Sequence, residues 1–182
     1  MLDRSRTYGR SPGDLKPRRD DASADHYWLM RRTLRSVEHA IHWPPPLRLS
    51  ALTPENALRV HQLLRLGTRL GGGRVTDFSD WLLGFETDPE FDPLLCFVVE
   101  SPKGVIAVAQ CWTSAFIRNL VVHPDVQRQG VGLMLLAGIF QTYGERGEGH
   151  VDLKVMESNL AARALYERAG MHYLKRGELK AR

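Results

Sequence analysis

The chain predicts an α/β fold: a mixed, mostly antiparallel central sheet with helices on both faces, plus an N-terminal helical arm.

 Three observations carry this. From residue 47 onward, periodic segments follow one another as β, α, α, β, β, β, α, β, α, β. Two apolar runs, Leu94 to Val99 and Gly104 to Trp112, are joined by the turn signal Ser101-Pro-Lys-Gly104, which reads as a hairpin. A third run, Ala115 to Val122, passes through His123-Pro124 into Gln129-Gly130-Val131-Gly132, a strand feeding a helix. Hairpins make antiparallel neighbours and strand–helix crossovers make parallel ones, so the sheet is mixed.

The elements follow in order. Residues 1–23 are rich in Arg, Asp, Ser, Gly and Pro, have little to bury, and read as a mobile tail. From Ala24 to Ile41, the apolar positions Tyr27, Met30, Leu34, Val37 and Ile41 recur at helical spacing, with Arg31, Arg32, Arg35 and Glu38 on other faces, so an amphipathic helix is expected. Trp43-Pro44-Pro45-Pro46 stops it as a stiff connector, which places a boundary near Pro44 between an arm (24–46) and the main domain (47–182). Leu47 to Leu52 is the first strand. Thr53-Pro54 supplies an N-cap and a first-turn proline for a helix through Leu58, His61, Leu64 and Leu66 towards Leu70. Gly71-Gly72-Gly73 breaks that helix, as a linker or as the hinge of a lid. Asp77 to Phe85 is a second, shorter helix. After the three strands come a helix from Gly130 to about Tyr143, a strand Val151 to Met156, a helix Leu160 to Arg168 and a last strand from Met171.

Bulk properties narrow the class. A length of 182 residues with 43% hydrophobic content fits one domain with an appendage and excludes a wholly disordered chain. No apolar run is long enough to span a bilayer and the N-terminus lacks the apolar core of a secretory signal, so no membrane partner is expected and the cytoplasm is the expected location. Cys96 and Cys111 lie in apolar runs, which suits buried thiols in a reducing compartment. Residues 1–42 hold nine Lys/Arg against six Asp/Glu, and the remainder sixteen against fifteen, so the basic excess is a solvated tail before it is a nucleic-acid arm. His39-x-x-His42 has no further ligand cluster, so no metal site is expected. Cys96 has no visible His partner as a nucleophile, and no Gly-x-Ser-x-Gly elbow exists.

The chemistry concentrates in Asn119 to Leu136. Two glycines at a helix N-terminus leave the first-turn N–H groups accessible, and the helix dipole favours an anion there, above all a phosphate. The dinucleotide fingerprint Gly-x-Gly-x-x-Gly is not met, because Leu135 stands where the third glycine belongs. The wider pattern is Gln127-x-x-Gly130-x-Gly132 after a strand ending in His-Pro, then Glu157-Ser-Asn159, then Ala161-Ala-Arg-Ala-Leu-Tyr166-Glu-Arg-Ala-Gly170-Met171. From about Leu47 to the C-terminus, this resembles the GNAT superfamily of N-acetyltransferases. The resemblance implies acetyl-CoA as co-substrate. Its pyrophosphate would rest on the amides of Arg128, Gln129, Gly130, Val131, Gly132 and Leu133, supported by the side chains of Gln127 and Arg128, and its pantetheine arm would pair with the strand Leu120, Val121, Val122. An N–H near Val122 would serve the oxyanion. Asn159 caps a helix in any case and would add a cofactor contact. Tyr166 is either a core aromatic or, at the family's position, the acid that protonates the departing thiolate.

The acceptor is less defined. An alkyl amine with a Lys-like pKa of about 10.4 is free base in only about one molecule in a thousand at neutral pH, so a base or water chain must assist. His123, Glu157 and His172 are candidates, whereas Arg118-Asn119 occupies the place where many family members carry a Glu. Between Asp77 and Asp92 lie six acidic residues and no Lys or Arg, either an acidic rim for a cationic amine or a solvated loop. The acceptor is thus a small amine or a protein amine. Two other readings stand beside the enzyme: a silent acyl-CoA-binding module, and a partner-docking role for the N-terminal helix. Only one strand fits after Met171 where the family has two, leaving an edge for a partner subunit or the N-terminal segment to cover, and hence an expectation of a homodimer.

Overall fold

The computed structural model describes residues 26–34, 41–71 and 74–179. The expected mobile tail, His39 with most of the second half of the expected N-terminal helix, and Gly72-Gly73 lie outside the described residues. The elements are β1 (His26–Thr33), β2 (Arg48–Ser50), α1 (Pro54–Gly71), α2 (Phe78–Glu86), β3 (Cys96–Ser101), β4 (Gly104–Trp112), β5 (Phe116–Val122), α3 (Val131–Glu145), β6 (His150–Met156), α4 (Leu160–Arg168) and β7 (His172–Glu178). They form one seven-stranded sheet in the order β2-β3-β4-β5-β6-β1-β7. Only β5 and β6 run parallel, and their ladder is two pairs long, Phe116 with Asp152 and Ile117 with Leu153. Every other neighbouring pair is antiparallel.

The N-terminal segment corrects the expected helix. Residues 26–33 are a strand inserted between β6 and β7, with Met30 opposite Leu153 on one side and Tyr173 on the other. The physical reason is tertiary: β6 and β7 each present an unpaired ladder, and a strand between them satisfies both, which outweighs the local helical spacing. Side chains fix it in place. Met30 is fully buried, Arg31 makes two hydrogen bonds of 2.7 Å to the Asp152 carboxylate, and Arg32 donates to the Ala169 carbonyl at 3.0 Å while lying over the Phe140 ring. Trp28 meets Tyr173 edge-on, with ring centroids 5.0 Å apart. The edge left open after Met171 in the sequence is therefore paired by the chain's own β1, and β7 becomes the outer strand, carrying Lys175, Arg176 and Glu178.

Each face of the sheet has its own core. Under α3 and α4, Leu135, Leu136, Ile139 and Phe140 pack on Ala107, Ala109, Val151 and Leu153. Under α1 and α2, Val60, Leu64, Trp81 and Phe85 pack on Cys96, Val98 and Val108. His61 is buried here, its Nε2 2.9 Å from the Thr76 carbonyl and its ring against Phe78 and Trp81, so it ties α1 to α2. Both cysteines are free and buried, and burial pushes the Cys96 thiol up to about 12, the opposite of an activated nucleophile.

Candidate active site

β5 carries the site because its two edges differ. Towards β4 it is paired along its length, and His123 N–H donates to the Ile106 carbonyl at 2.8 Å. That bond fixes the alternation: Val121 also turns its backbone groups to β4, while Leu120 and Val122 turn theirs the other way. On that other side β6 has diverged after Ile117, so the backbone edge from Arg118 to Val122 opens into a cleft. A bulge at Arg118, where the register shifts between Gln110 and Cys111, accompanies the divergence.

The strand runs into the loop His123–Gly130 and then α3. Gly130 is left-handed, with φ 85°, and offers no side-chain cap, so the first-turn N–H groups of Val131, Gly132 and Leu133 stay open before Met134 N–H closes the first helical bond onto the Gly130 carbonyl at 3.0 Å. Arg128 is also left-handed, with φ 61°, which turns successive amides towards one side. A Cβ on Gly130 would meet nothing within 4 Å, so the space before these amides is clear. Gly132 serves a different purpose from the one its motif suggests: a Cβ there would lie 3.0 Å from Leu165 Cδ2 and 3.4 Å from Val122 Cγ2, so its bareness seats α4 against α3. Gln127 and Gln129 turn inward. Gln127 Nε2 donates to the Val122 carbonyl at 3.0 Å and Gln129 Nε2 to the Asp125 carbonyl at 3.1 Å, which shapes the loop and leaves Val122 with only its N–H facing the cleft.

Asn159 and Tyr166 belong to α4, the helix that follows β6. Asn159 caps α4, its Oδ1 accepting from Ala162 N–H at 3.1 Å, which leaves the amide NH₂ for another partner. Tyr166 is buried beneath the helix next to Leu165, and burial pushes its phenol up to about 12, so it is a neutral donor throughout the physiological range. On the α1/α2 face of the cleft stands a residue that the sequence reading passed over. Gln110 is 0% exposed, its Oε1 accepts from Asn119 Nδ2 at 2.8 Å, and its own NH₂ has no partner. The signal was available as the single polar residue in the apolar run Gly104 to Trp112. Arg118 lies over the Trp112 ring at 4.9 Å.

The candidate bases separate. His123 sits at the cleft end of β5, with its Nδ1 accepting from Asp125 N–H at 3.3 Å. Glu157 is engaged by Arg176 at 2.5 Å, and that partner holds its carboxyl below the usual range, which makes it a weak base. His172 is opposite Arg31, which is opposite Asp152 and hence level with Phe116, so it lies at the far end of the sheet. The acidic run also extends to that far end: Glu90 holds the β4–β5 turn through Thr113 and Ser114, and Asp92 pairs with Arg146 at 2.6 Å. Among the described residues no group of His, Cys, Asp and Glu could hold a metal ion, and no helix is long and apolar enough to cross a membrane.

A strand edge opened by divergence from its parallel neighbour and continued by uncapped helix amides defines a site for an extended, anion-bearing donor. Residues 59–171 match the acetyltransferase (GNAT) family, more than half of the chain. The chain belongs to that family, whose donor is an acyl-CoA. A 58-residue stretch, 32% of this chain, is 43% identical to the ribosomal protein bS18-alanine N-acetyltransferase of Escherichia coli (strain K12) and spans 39% of that enzyme. The fold is similar to that of a GCN5-related N-acetyltransferase from Sphaerobacter thermophilus, with TM-score 0.71 and 24% identity over 84% of this chain and 50% of the other. It is also similar to a diaminobutyrate acetyltransferase from Paenibacillus lautus, with TM-score 0.55 and 19% identity over 67% of this chain and 73% of that one. The chain thus spans half or less of the first two relatives.

Proposed function

We propose that the chain transfers the acetyl group of acetyl-CoA to a primary amine by direct attack in a ternary complex. The observation that carries the reading is the continuity of the open β5 edge with the uncapped amides at the start of α3. The backbone groups of Leu120 and Val122 receive the pantetheine amides as an added strand would, with the Val121 side chain on the α1 face behind them. The amides from Arg128 to Leu133 hold the pyrophosphate and Arg128 adds charge, while Gln127 and Gln129 keep the loop in shape. Asn159 contacts the donor through its free NH₂. When bound, acetyl-CoA supplies the activated carbonyl. Val122 N–H stabilises the developing oxyanion.

Tyr166 donates to the leaving sulfur. A phenol held near 12 is a weaker acid than a thiol of about 8.5, so it stabilises the thiolate by a hydrogen bond and relays a proton that the amine ultimately supplies. His123, directly or through water, is the candidate that takes the amine proton, at Nδ1 as the 3.3 Å bond from Asp125 N–H gives way, since Glu157 is held by Arg176 and His172 is at the wrong end. Asn119 faces the acceptor. Its Nδ2 is fixed by Gln110, which leaves its Oδ1 to accept from the incoming amine.

The experiment is thiol release from acetyl-CoA with three acceptors: an Ala-starting peptide, L-2,4-diaminobutyrate and the aminoglycoside sisomicin. Acceptor-dependent release with one of them supports the reading. Donor binding without release from any of a wider amine panel would favour a silent acyl-CoA-binding module instead. A homodimer would form through the outer edge of β7, and sedimentation equilibrium tests it.

A further inference from the structure

A second concave site lies on the α1 face, away from the donor loop except at one residue. A cavity of about 760 Å³ opens between α1, the β3–β4 turn and the end of β5. Arg48, Arg59 and Lys103 line it, with Glu100 as the one acid and His123 at its edge. Among the described residues none of the three cationic side chains has an ion pair or hydrogen bond, although Arg48 stands opposite Glu100 in the β2–β3 register. Three like charges around one basin repel one another, and an anion in their midst relieves that repulsion. Two guanidinium groups and an ammonium suit the several oxygens of a phosphate better than a single carboxylate. The volume exceeds a bare ion and falls in the range of small-molecule sites, and Gln62 with the Leu63 and Leu66 side chains provides a neutral floor for an organic body.

We propose that this cavity binds a phosphate monoester attached to a small organic group. The ester has two chemical sources, the ribose 3′-phosphate of the donor itself or a separate phosphorylated molecule, and the first rests on the acetyl-CoA reading above. His123, the residue from which the donor loop departs, lines the cavity, so a separate occupant and the donor would be coupled in both directions.

The test is calorimetric titration of the full chain and of the double variant Arg59→Gln/Lys103→Gln, whose altered side chains are exposed, so folding is preserved. The probes are acetyl-CoA, 3′-dephospho-acetyl-CoA and ribose 5-phosphate. If the donor is the source, the wild type binds acetyl-CoA about tenfold more tightly than its dephospho form, and the variant loses that preference. If the source is separate, ribose 5-phosphate binds the acetyl-CoA-saturated wild type and not the variant. Equal behaviour of wild type and variant towards all three probes overturns the proposal. Failure of acetyl-CoA to bind at all would overturn the acetyl-CoA reading alone, because ribose 5-phosphate on the free chain still reads the cavity. Arg59→Lys should retain most of the binding, which separates charge from a role in packing.

Discussion

The sheet is two blocks of different construction that meet at the site. β2 to β5 are antiparallel, with β3, β4 and β5 following one another through short turns, whereas β6, β1 and β7 hold together only because a strand from the beginning of the chain lies between two from its end. The first block supplies the backbone edge, Asn119 and Gln110; the second carries α4 with Asn159 and Tyr166 on its connections. Two ladder pairs join them, and everything beyond Ile117 is cleft. A site at such a seam gains an open strand edge without exposing one on the outside, but its geometry depends on both blocks being complete.

Breaking the second block should have the largest effect. Met30→Ala empties a fully buried position on β1 and should destabilise the chain by about 2–5 kcal/mol in denaturant titration. Hydrogen exchange should then show the β6, β1 and β7 amides opening before those of β3 to β5; uniform opening would mean that the blocks are a single cooperative unit. Next comes the chemistry of the second block: Tyr166→Phe should lower kcat by about a hundredfold and leave acetyl-CoA affinity unchanged. Equal turnover would reduce Tyr166 to a core aromatic. Gly132→Val presses on Leu165 and Val122 across the seam, and overpacking of about 1–3 kcal/mol should appear as a lower Tm together with weaker acetyl-CoA binding. A lower Tm with intact binding would uncouple α4 seating from the donor site.

Within the first block, Asn119→Ala should raise the acceptor KM by about tenfold with acetyl-CoA affinity intact, and Asn119→Asp should preserve acceptor binding. No change in KM for Asn119→Ala would remove Asn119 from the acceptor face. The smallest effect near neutrality is on pH stability. Burial raises Cys96 from 9.0 and Tyr166 from 10.0, each to about 12, so both are neutral in the folded chain while the unfolded chain ionises first. Their contribution is complete below pH 9 and is lost as the pH rises towards 12, so Tm should fall over that window, less steeply in Tyr166→Phe.

The same division explains what the amino-acid pattern disclosed. Elements from Leu94 onward carry local signals, and their periodicity, turn residues and caps located them within a residue or two, with α4 matching Leu160 to Arg168 in full. The uncapped start of α3 was legible for a similar reason, since a left-handed glycine and open amides are properties of a few adjacent residues. β1 was not legible. Tyr27, Met30 and Leu34 satisfy a helical period, and the factor that makes residues 26–33 a strand is a pair of unpaired ladders more than a hundred residues away. Gln110, Gly132 and the basic cavity were hidden for the related reason that each acquires its meaning from a neighbour on another element: Asn119, Leu165, and the convergence of α1 with a hairpin turn.

The placement of β1 also sets an order of events during synthesis. Its residues leave the ribosome well before its partners, since neither exists until residues 150–178 have been made. The first block can close on its own sequential contacts while β1 waits with both backbone edges unpaired, a state open to pairing with other chains. Completion then requires bringing together segments more than a hundred residues apart, the slowest kind of contact to form. The synthesis of β7 therefore decides when β1 finds its place, and the cleft acquires its second wall only at that moment.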